Sequence, residues 1–366
     1  MTTAASPENT AATRENAAAA VDTASGGTPL RLGTRRSTLA MAQSGQIAER
    51  VRALTGRPVE LVEITTYGDT SRESLAQIGG TGVFVSALRE ALSRGEIDFA
   101  VHSLKDLPTA QPDDLTLAAI PRREDPRDAL VARDGLTFEQ LAADPGRPAR
   151  IGTGSPRRMA QLNAWARSLG AGHLIETVPI RGNVDTRIGY VRSGELDAVV
   201  LAAAGLTRIG RIAEATEVLD SAHVLPAPGQ GALAVECLAM HHVHGAALAA
   251  RLAELDDPHT RLAVTAERSL LAALEAGCSA PVGALADLSP SSRLRSSRGG
   301  PKADGQDFTE MRLRGVVGTT DGKTLVQLST TGPVPASPGD AAALGRELAA
   351  EMLAKGAAGL MGERAH

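Results

Sequence analysis

The feature that most constrains the fold is an internal repeat. Arg31-Leu32-Gly33-Thr34 recurs as Arg150-Ile151-Gly152-Thr153, and Met41-Ala42-Gln43 recurs as Met159-Ala160-Gln161 with one residue less between. Gly95-Glu96-Ile97-Asp98 recurs as Gly194-Glu195-Leu196-Asp197. Each Asp opens a short apolar run, Phe99 to Val101 and Ala198 to Leu201, of the kind that forms a strand buried on both faces. Three matches in the same order imply two related α/β domains with largely parallel sheets. Two such domains facing each other enclose a cleft.

The tips of the two matching strands differ. Pro108 cannot donate to a ladder, so the first strand ends before it and leaves Ser103, Lys105 and Asp106 at its C-terminal end. That edge is where open α/β sheets bind ligands. An ordinary polar turn is the competing reading. The second strand ends in Ala202-Ala203-Ala204-Gly205, which carries no chemistry. Catalysis is therefore expected on the first domain and binding on the second. From Arg150 to Arg211 the second repeat has nine arginines and no lysine, against Glu176, Asp185, Glu195 and Asp197, a surface suited to carboxylates or phosphates.

Along the chain, Ser37 is expected to cap a helix bearing Ile47, Val51 and Leu54 that Gly56 stops, followed by a strand near Val59 to Thr65. Phe84, Leu88 and Leu92 mark a second helix, ending at Gly95. Leu225 to Gly231 reads as a hinge, and Ala232 to Cys237 as a buried strand returning to the first sheet. A helix from Pro258 through Val264 and Leu271 then precedes Cys278. Met311 to Val317 and Lys323 to Ser329 alternate as strands around Asp321-Gly322, a hairpin signal, and Leu344, Leu348 and Met352 mark a last helix. The expected division is a disordered extension over 1–28, a first domain over 29–124 and 230–252, a second over 125–229, and a smaller α+β third domain over 257–366 with a mobile loop at 289–307.

Gly33-Thr34-Arg35-Arg36-Ser37 and Gly152-Thr153-Gly154-Ser155-Pro156-Arg157-Arg158 both place hydroxyls, N–H groups and arginines at helix N-termini, where anions are favoured. Plain capping is the alternative for either alone. Neither is a dinucleotide fingerprint or a phosphate loop. His241, His242 and His244 lack a cysteine or carboxylate at ligand spacing, so no metal is expected, and His102 reads as a satisfied core histidine. Cys237 sits in a buried strand and reads as a small hydrophobe, whereas Cys278 follows a helix in a loop that would expose its sulfur.

A net charge of −4 and 2% aromatics give no reason to expect a nucleic-acid partner, and no run approaches the ~18 apolar residues of a membrane span. Residues 1 to 28 have no apolar core of a signal peptide, so the cytoplasm and reduced cysteines are expected. A monomer is the expected state, although no residue pattern specifies it.

Taken together, Thr34-Arg35-Arg36-Ser37, His102 to Pro108, Arg123-Glu124-Asp125-Pro126-Arg127-Asp128, Gly152 to Arg158, Arg181-Gly182-Asn183-Val184, Leu225 to Ala232 and Glu275-Ala276-Gly277-Cys278 resemble the porphobilinogen deaminases, also called hydroxymethylbilane synthases. The match runs in order from about Leu30 to the C-terminus. The resemblance implies two domains like those of periplasmic binding proteins plus a third. It implies a transferase that condenses porphobilinogen head to tail, releasing ammonia, into the linear tetrapyrrole hydroxymethylbilane. It further implies a dipyrromethane cofactor, held by a thioether at Cys278, as primer. By the same carry-over Asp106 is the catalytic acid and base. Lys105, Ser103, Thr153, Ser155, Arg157 and Arg158 hold the cofactor, and Arg35, Ser37, Arg181, Arg187, Arg208 and Gln230 hold substrate carboxylates. Thr38, Thr81, Ser86 and Gly154 depart from the common pattern, and Thr81 and Ser86 are given no role. From another class, a non-catalytic carboxylate-binding protein would also use two α/β domains around an arginine-lined cleft. A cysteine-nucleophile hydrolase lacks a histidine whose context pairs it with Cys278.

Overall fold

The computed structural model describes residues 27–65, 82–239, 245–276, 280–290 and 308–361. The N-terminal extension up to residue 26, most of the 289–307 loop, Thr81, the three histidines at 241, 242 and 244, and Cys278 lie outside the described residues.

Ten strands form two five-stranded sheets of identical plan. The first contains β1 (Leu30–Thr34), β2 (Val59–Glu63), β3 (Phe99–Ser103), β4 (Leu115–Ala119) and β10 (Leu233–Leu238), ordered β2-β1-β3-β10-β4. The second contains β5 (Asp128–Ala132), β6 (Ala149–Gly152), β7 (Ile175–Val178), β8 (Ala198–Ala202) and β9 (Glu217–Val218), ordered β7-β6-β8-β5-β9. The expected return of the chain to the first sheet is therefore correct. The expectation of largely parallel sheets needs amending: β10 runs antiparallel to β3 and β4, and β5 antiparallel to β8 and β9. Those two reversed strands are the ones that enter each sheet from the other side of the molecule.

The repeat in sequence is a repeat in hydrogen bonding. Asp98 accepts from the Arg31 amide at 2.7 Å and Asp197 from the Arg150 amide at 2.8 Å. The reciprocal bonds, from the Asp98 and Asp197 amides to the Arg31 and Arg150 carbonyls, are 2.8 and 2.9 Å. The glycines two residues on are also matched, because a Cβ on Gly33 would sit 2.2 Å from Ile97 Cδ1 and one on Gly152 2.5 Å from Leu196 Cδ1. The shared motif thus clasps the start of each central strand to its neighbour, which is a structural task.

Local signals set the helices as expected. Ser37 caps the Thr38–Thr55 helix, its hydroxyl accepting from the Ala40 amide, and Gly56 ends it in the left-handed region at φ 69°. Ile47 and Val51 pack beneath it against Leu32 and Phe99, both fully buried. Cys237 is in the same core, where burial pushes its thiol up to about 12, as suits a small hydrophobe.

The third sheet is an antiparallel meander of β11 (Val282–Ser289), β12 (Glu310–Gly318) and β13 (Leu325–Pro333), covered by the Pro258–Ala273 and Pro338–Ala354 helices. Ser289, expected to open the loop, still pairs with Glu310. The hairpin around Asp321-Gly322 forms as expected, but the second strand starts at Leu325 rather than Lys323, and Lys323 belongs to the turn, its amide donating to Asp321. The reason is docking: Gly322, at φ 67°, lies where a Cβ would meet the Ala164 backbone nitrogen at 2.3 Å, while Asn163 and Arg167 donate to the Thr320 and Asp321 carbonyls.

The chain crosses between the two large sheets twice, over 120–127 and 219–232. Both crossings meet one carboxylate from the Pro258–Ala273 helix. Glu267, fully buried, accepts from Arg123 at 2.7 and 2.9 Å, from the Gly229 amide at 2.7 Å and from the Ala286 amide at 2.9 Å. A buried charge is tolerated because every oxygen is matched.

Candidate functional site

The first strand's tip is built by backbone pairing. Ser103 is the last residue of β3, opposite Leu233, and the chain then tightens into one 3₁₀ turn over Leu104–Asp106 that begins with the Leu104 amide donating to Ala232. Leu104 and Leu107 are buried, which anchors the turn. Lys105 is half-buried and Asp106 exposed. Among the described residues no hydrogen bond or ion pair holds the Asp106 carboxylate.

Opposite lies a carboxylate to which sequence reasoning gave no role. Asp128 heads β5 and is completely buried. Its Oδ2 accepts from Arg157 at 2.8 Å, and its Oδ1 from Arg158 at 2.7 Å and from Gln230 Nε2 at 2.8 Å. The other side of Gln230 accepts from Lys105 at 3.3 Å. Lys105, Gln230, Asp128, Arg157 and Arg158 are therefore one network spanning both large sheets. Burial opposes ionisation of Asp128, but the two guanidiniums outweigh it and hold the carboxyl well below the usual range. The signal that could have identified it is a lone carboxylate opening the apolar run Ala129-Leu130-Val131-Ala132. Glu267 had a comparable signal, standing on the same helical stripe as Val264 and Leu271.

Arg157 and Arg158 are not the free surface cations that the composition suggested. They are buried to 3% and 5% exposure, and they also donate to the Leu225 and Val200 carbonyls. The Nε atoms of Arg157, Arg158 and Arg208 are buried and have no hydrogen-bond partner among the described residues. Arg187 is pushed down to about 10 by burial and by Arg158 and Arg181, and it donates to the Gly182 carbonyl. Arg181 is exposed, and Arg208 donates to the Gly231 carbonyl. Lys105 is pushed down to about 8, by burial first and then by Arg158 and Arg157, against the opposing pull of Asp106 and Asp128. Lys105 thus lies in electrostatic range of Arg157 and Arg158, and Arg187 of Arg158 and Arg181, a chain of five cations in which Asp106 and Asp128 act on Lys105 as the opposing carboxylates. Such an excess attracts anions.

The remaining arginines of the second repeat are engaged structurally: Arg150 donates to the Glu195 carbonyl, Arg167 to Asp321, and Arg192 and Arg211 pair with Glu214. Of the two helix N-termini, the first has its hydroxyl used for capping, whereas Ser155 makes no side-chain cap bond and its amide donates to the buried Thr153 hydroxyl. Arg35 is half-buried, beside Ser37, in the first domain. Contact between the domains there is close, since a Cβ on Gly205 would lie 3.6 Å from Leu39 Cδ2. Ser86 is exposed on the Gly82–Ser93 helix. His102 is buried, as expected of a core histidine, but it is not satisfied: its Nε2 lies 3.1 Å from the buried Glu236, which pairs with Arg89 at 2.8 Å, and makes no hydrogen bond among the described residues. No group of metal-binding side chains occurs among the described residues.

Residues 30–244 match the family model for the porphobilinogen deaminase dipyrromethane cofactor binding domain, and residues 261–354 match that for the porphobilinogen deaminase C-terminal domain. The chain is 77% identical over 338 residues to porphobilinogen deaminase 1 of Streptomyces avermitilis, covering 92% of this chain and 98% of that one. It is 74% identical to porphobilinogen deaminase 1 of Streptomyces coelicolor, with the same coverages, and 54% identical to the porphobilinogen deaminase of Thermobifida fusca, covering 90% and 95%.

Proposed function

The chain belongs to the porphobilinogen deaminase family, and from that premise we propose how its own residues share the work of the reaction. The enzyme is a transferase that condenses four porphobilinogen units, with loss of ammonia, into hydroxymethylbilane on a dipyrromethane cofactor. When bound, the cofactor supplies a covalent primer whose terminal pyrrole carbon is the nucleophile.

The residues present fit such a group. Its acetate and propionate side chains are anions, and the site offers a surplus of cations with buried guanidinium nitrogens that lack partners among the described residues. Cys278 is read as the thioether attachment. Lys105, Arg157, Arg158, Thr153, Ser155 and Ser103 are read as its holders, with Arg157 and Arg158 pre-set by Asp128. Arg35, Ser37, Arg181, Arg187 and Arg208 would meet carboxylates of incoming substrate. Gln230 takes a different part from the one its sequence suggested, because both ends of its amide are already engaged. It fixes Lys105 relative to Asp128.

Asp106 is the observation that carries the reading: an exposed carboxylate, unbonded among the described residues, beside a cationic network. It would give a proton to the departing amine, stabilise the cation left on porphobilinogen and take the proton released when the pyrroles join. The domain limits stated above, a cytoplasmic location and a monomer are part of the same proposal. No helix among the described residues is long and apolar enough to cross a membrane.

Two outcomes are expected. Intact-mass analysis of the denatured protein should give an excess of two condensed pyrrole units on the Cys278 peptide, absent in Cys278→Ser. An unmodified Cys278 after incubation with porphobilinogen would favour the binding-protein reading. The second concerns pH. Lys105 is charged below about 8 and neutral above it, so KM for porphobilinogen should rise as pH passes through that region. The rise should vanish in Lys105→Met. Because the native lysine binds fewer protons than the unfolded chain between about 8 and its ordinary value, its contribution to stability grows with pH across that window, opposite in sign to its effect on binding.

A further inference from the structure

We propose that Arg268, supplied by the third domain, is the positioning residue that holds the Leu104–Asp106 turn in its catalytic geometry. This rests on the reading of Asp106 as the acid and base. Arg268 donates from Nη1 to the Leu104 carbonyl at 3.0 Å and to the Leu107 carbonyl at 2.9 Å, and from Nη2 to the Pro108 carbonyl at 2.7 Å. These three carbonyls bracket the turn on both sides of Lys105 and Asp106.

The turn needs such a brace. It is a single 3₁₀ turn closed by one bond, Leu107 N–H to Leu104 O at 3.2 Å, and isolated turns of this kind hold their geometry weakly. Leu104 and Leu107 are buried to 0% and 1% exposure, so their carbonyls require donors from within the protein. The Asp106 side chain has no bond of its own among the described residues, so only its backbone sets where the carboxylate stands. A planar guanidinium spans three carbonyls at fixed angles, and a compact ammonium does not. Arg268 follows Glu267, which grips both interdomain crossings, so one helix of the third domain sets the hinge and the catalytic turn together.

The test uses loaded enzyme, counted by intact mass, with kcat and KM measured for Arg268→Lys, Arg268→Gln, Asp106→Glu and the double variant Arg268→Lys/Asp106→Glu. A misplacement of about 1 Å can cost about 100-fold in rate, so kcat per loaded molecule of Arg268→Lys should fall by about that factor with KM within about threefold. The losses in the double variant should be far from multiplicative, because both changes displace the same carboxylate. A kcat per loaded molecule within threefold of the parent, or multiplicative losses, overturns the proposal. Failure of both single Arg268 variants to fold and load would assign Arg268 a merely structural role and would equally overturn it. Failure of the underlying reading is seen separately, as normal turnover in Asp106→Asn.

Discussion

Asp106→Asn is expected to lower turnover by about 10³-fold while the protein still folds and carries its cofactor. The side chain is exposed and makes no hydrogen bond among the described residues, so its replacement by an isosteric amide should cost less than about 0.5 kcal/mol of stability. The chemistry has no such tolerance, because an amide can neither give up nor accept the proton that must move at the amine and later at the pyrrole carbon. A second signature accompanies the first. Asp106 helps to keep Lys105 protonated, so removing its charge should move the Lys105 titration below about 8 and shift the alkaline limb of substrate binding to lower pH. Single-turnover rates, intact mass and a melting curve on one preparation check all of this. Turnover within threefold of the parent would remove Asp106 from the mechanism.

Asp128→Asn should have the opposite profile, a large loss of stability. Two buried guanidiniums would lose their shared carboxylate, and breaking such a pair from one side typically costs about 3–5 kcal/mol because uncompensated charge stays buried. That corresponds to a fall of roughly 10 °C in the melting temperature of the cooperative unit containing β5. The native carboxyl is held far below its ordinary value, so its stabilising contribution is complete above that ordinary value and lost only as pH falls through the depressed one. The gap between parent and variant should therefore persist unchanged across neutral pH and close only in strong acid. Parent-like melting at pH 7 would show that Arg157 and Arg158 do not depend on Asp128.

Most strands and helices were legible because their causes are local. Ser37 and Gly56 bound one helix by capping and by a left-handed stop, and fully apolar runs marked β3 and β8. The repeat was legible for the same reason, since each Asp closes a clasp on a fixed partner strand. The antiparallel course of β5 and β10 was not legible, because strand direction depends on which sheet a distant segment joins. The short edge strand β9, Glu217–Val218, carries too little pattern to be read at all.

The amino-acid sequence by itself determined the three-part architecture, the strand tip that carries Ser103, Lys105 and Asp106, and the family, since all of these are written in contiguous motifs. Tertiary structure alone decided how each charge is used. Composition places Arg157, Arg158, Arg167 and Arg211 in one class, yet the fold commits the first pair to Asp128, the third to a hairpin carbonyl of the third domain and the last to Glu214. Gln230 became a brace, and Glu267 and Arg268 became the points where the third domain grips the hinge and the Leu104–Asp106 turn. The physical reason is common to these cases: a buried ionic or polar group is defined by the partner that compensates its desolvation, and here that partner stands as many as 164 residues away in the chain.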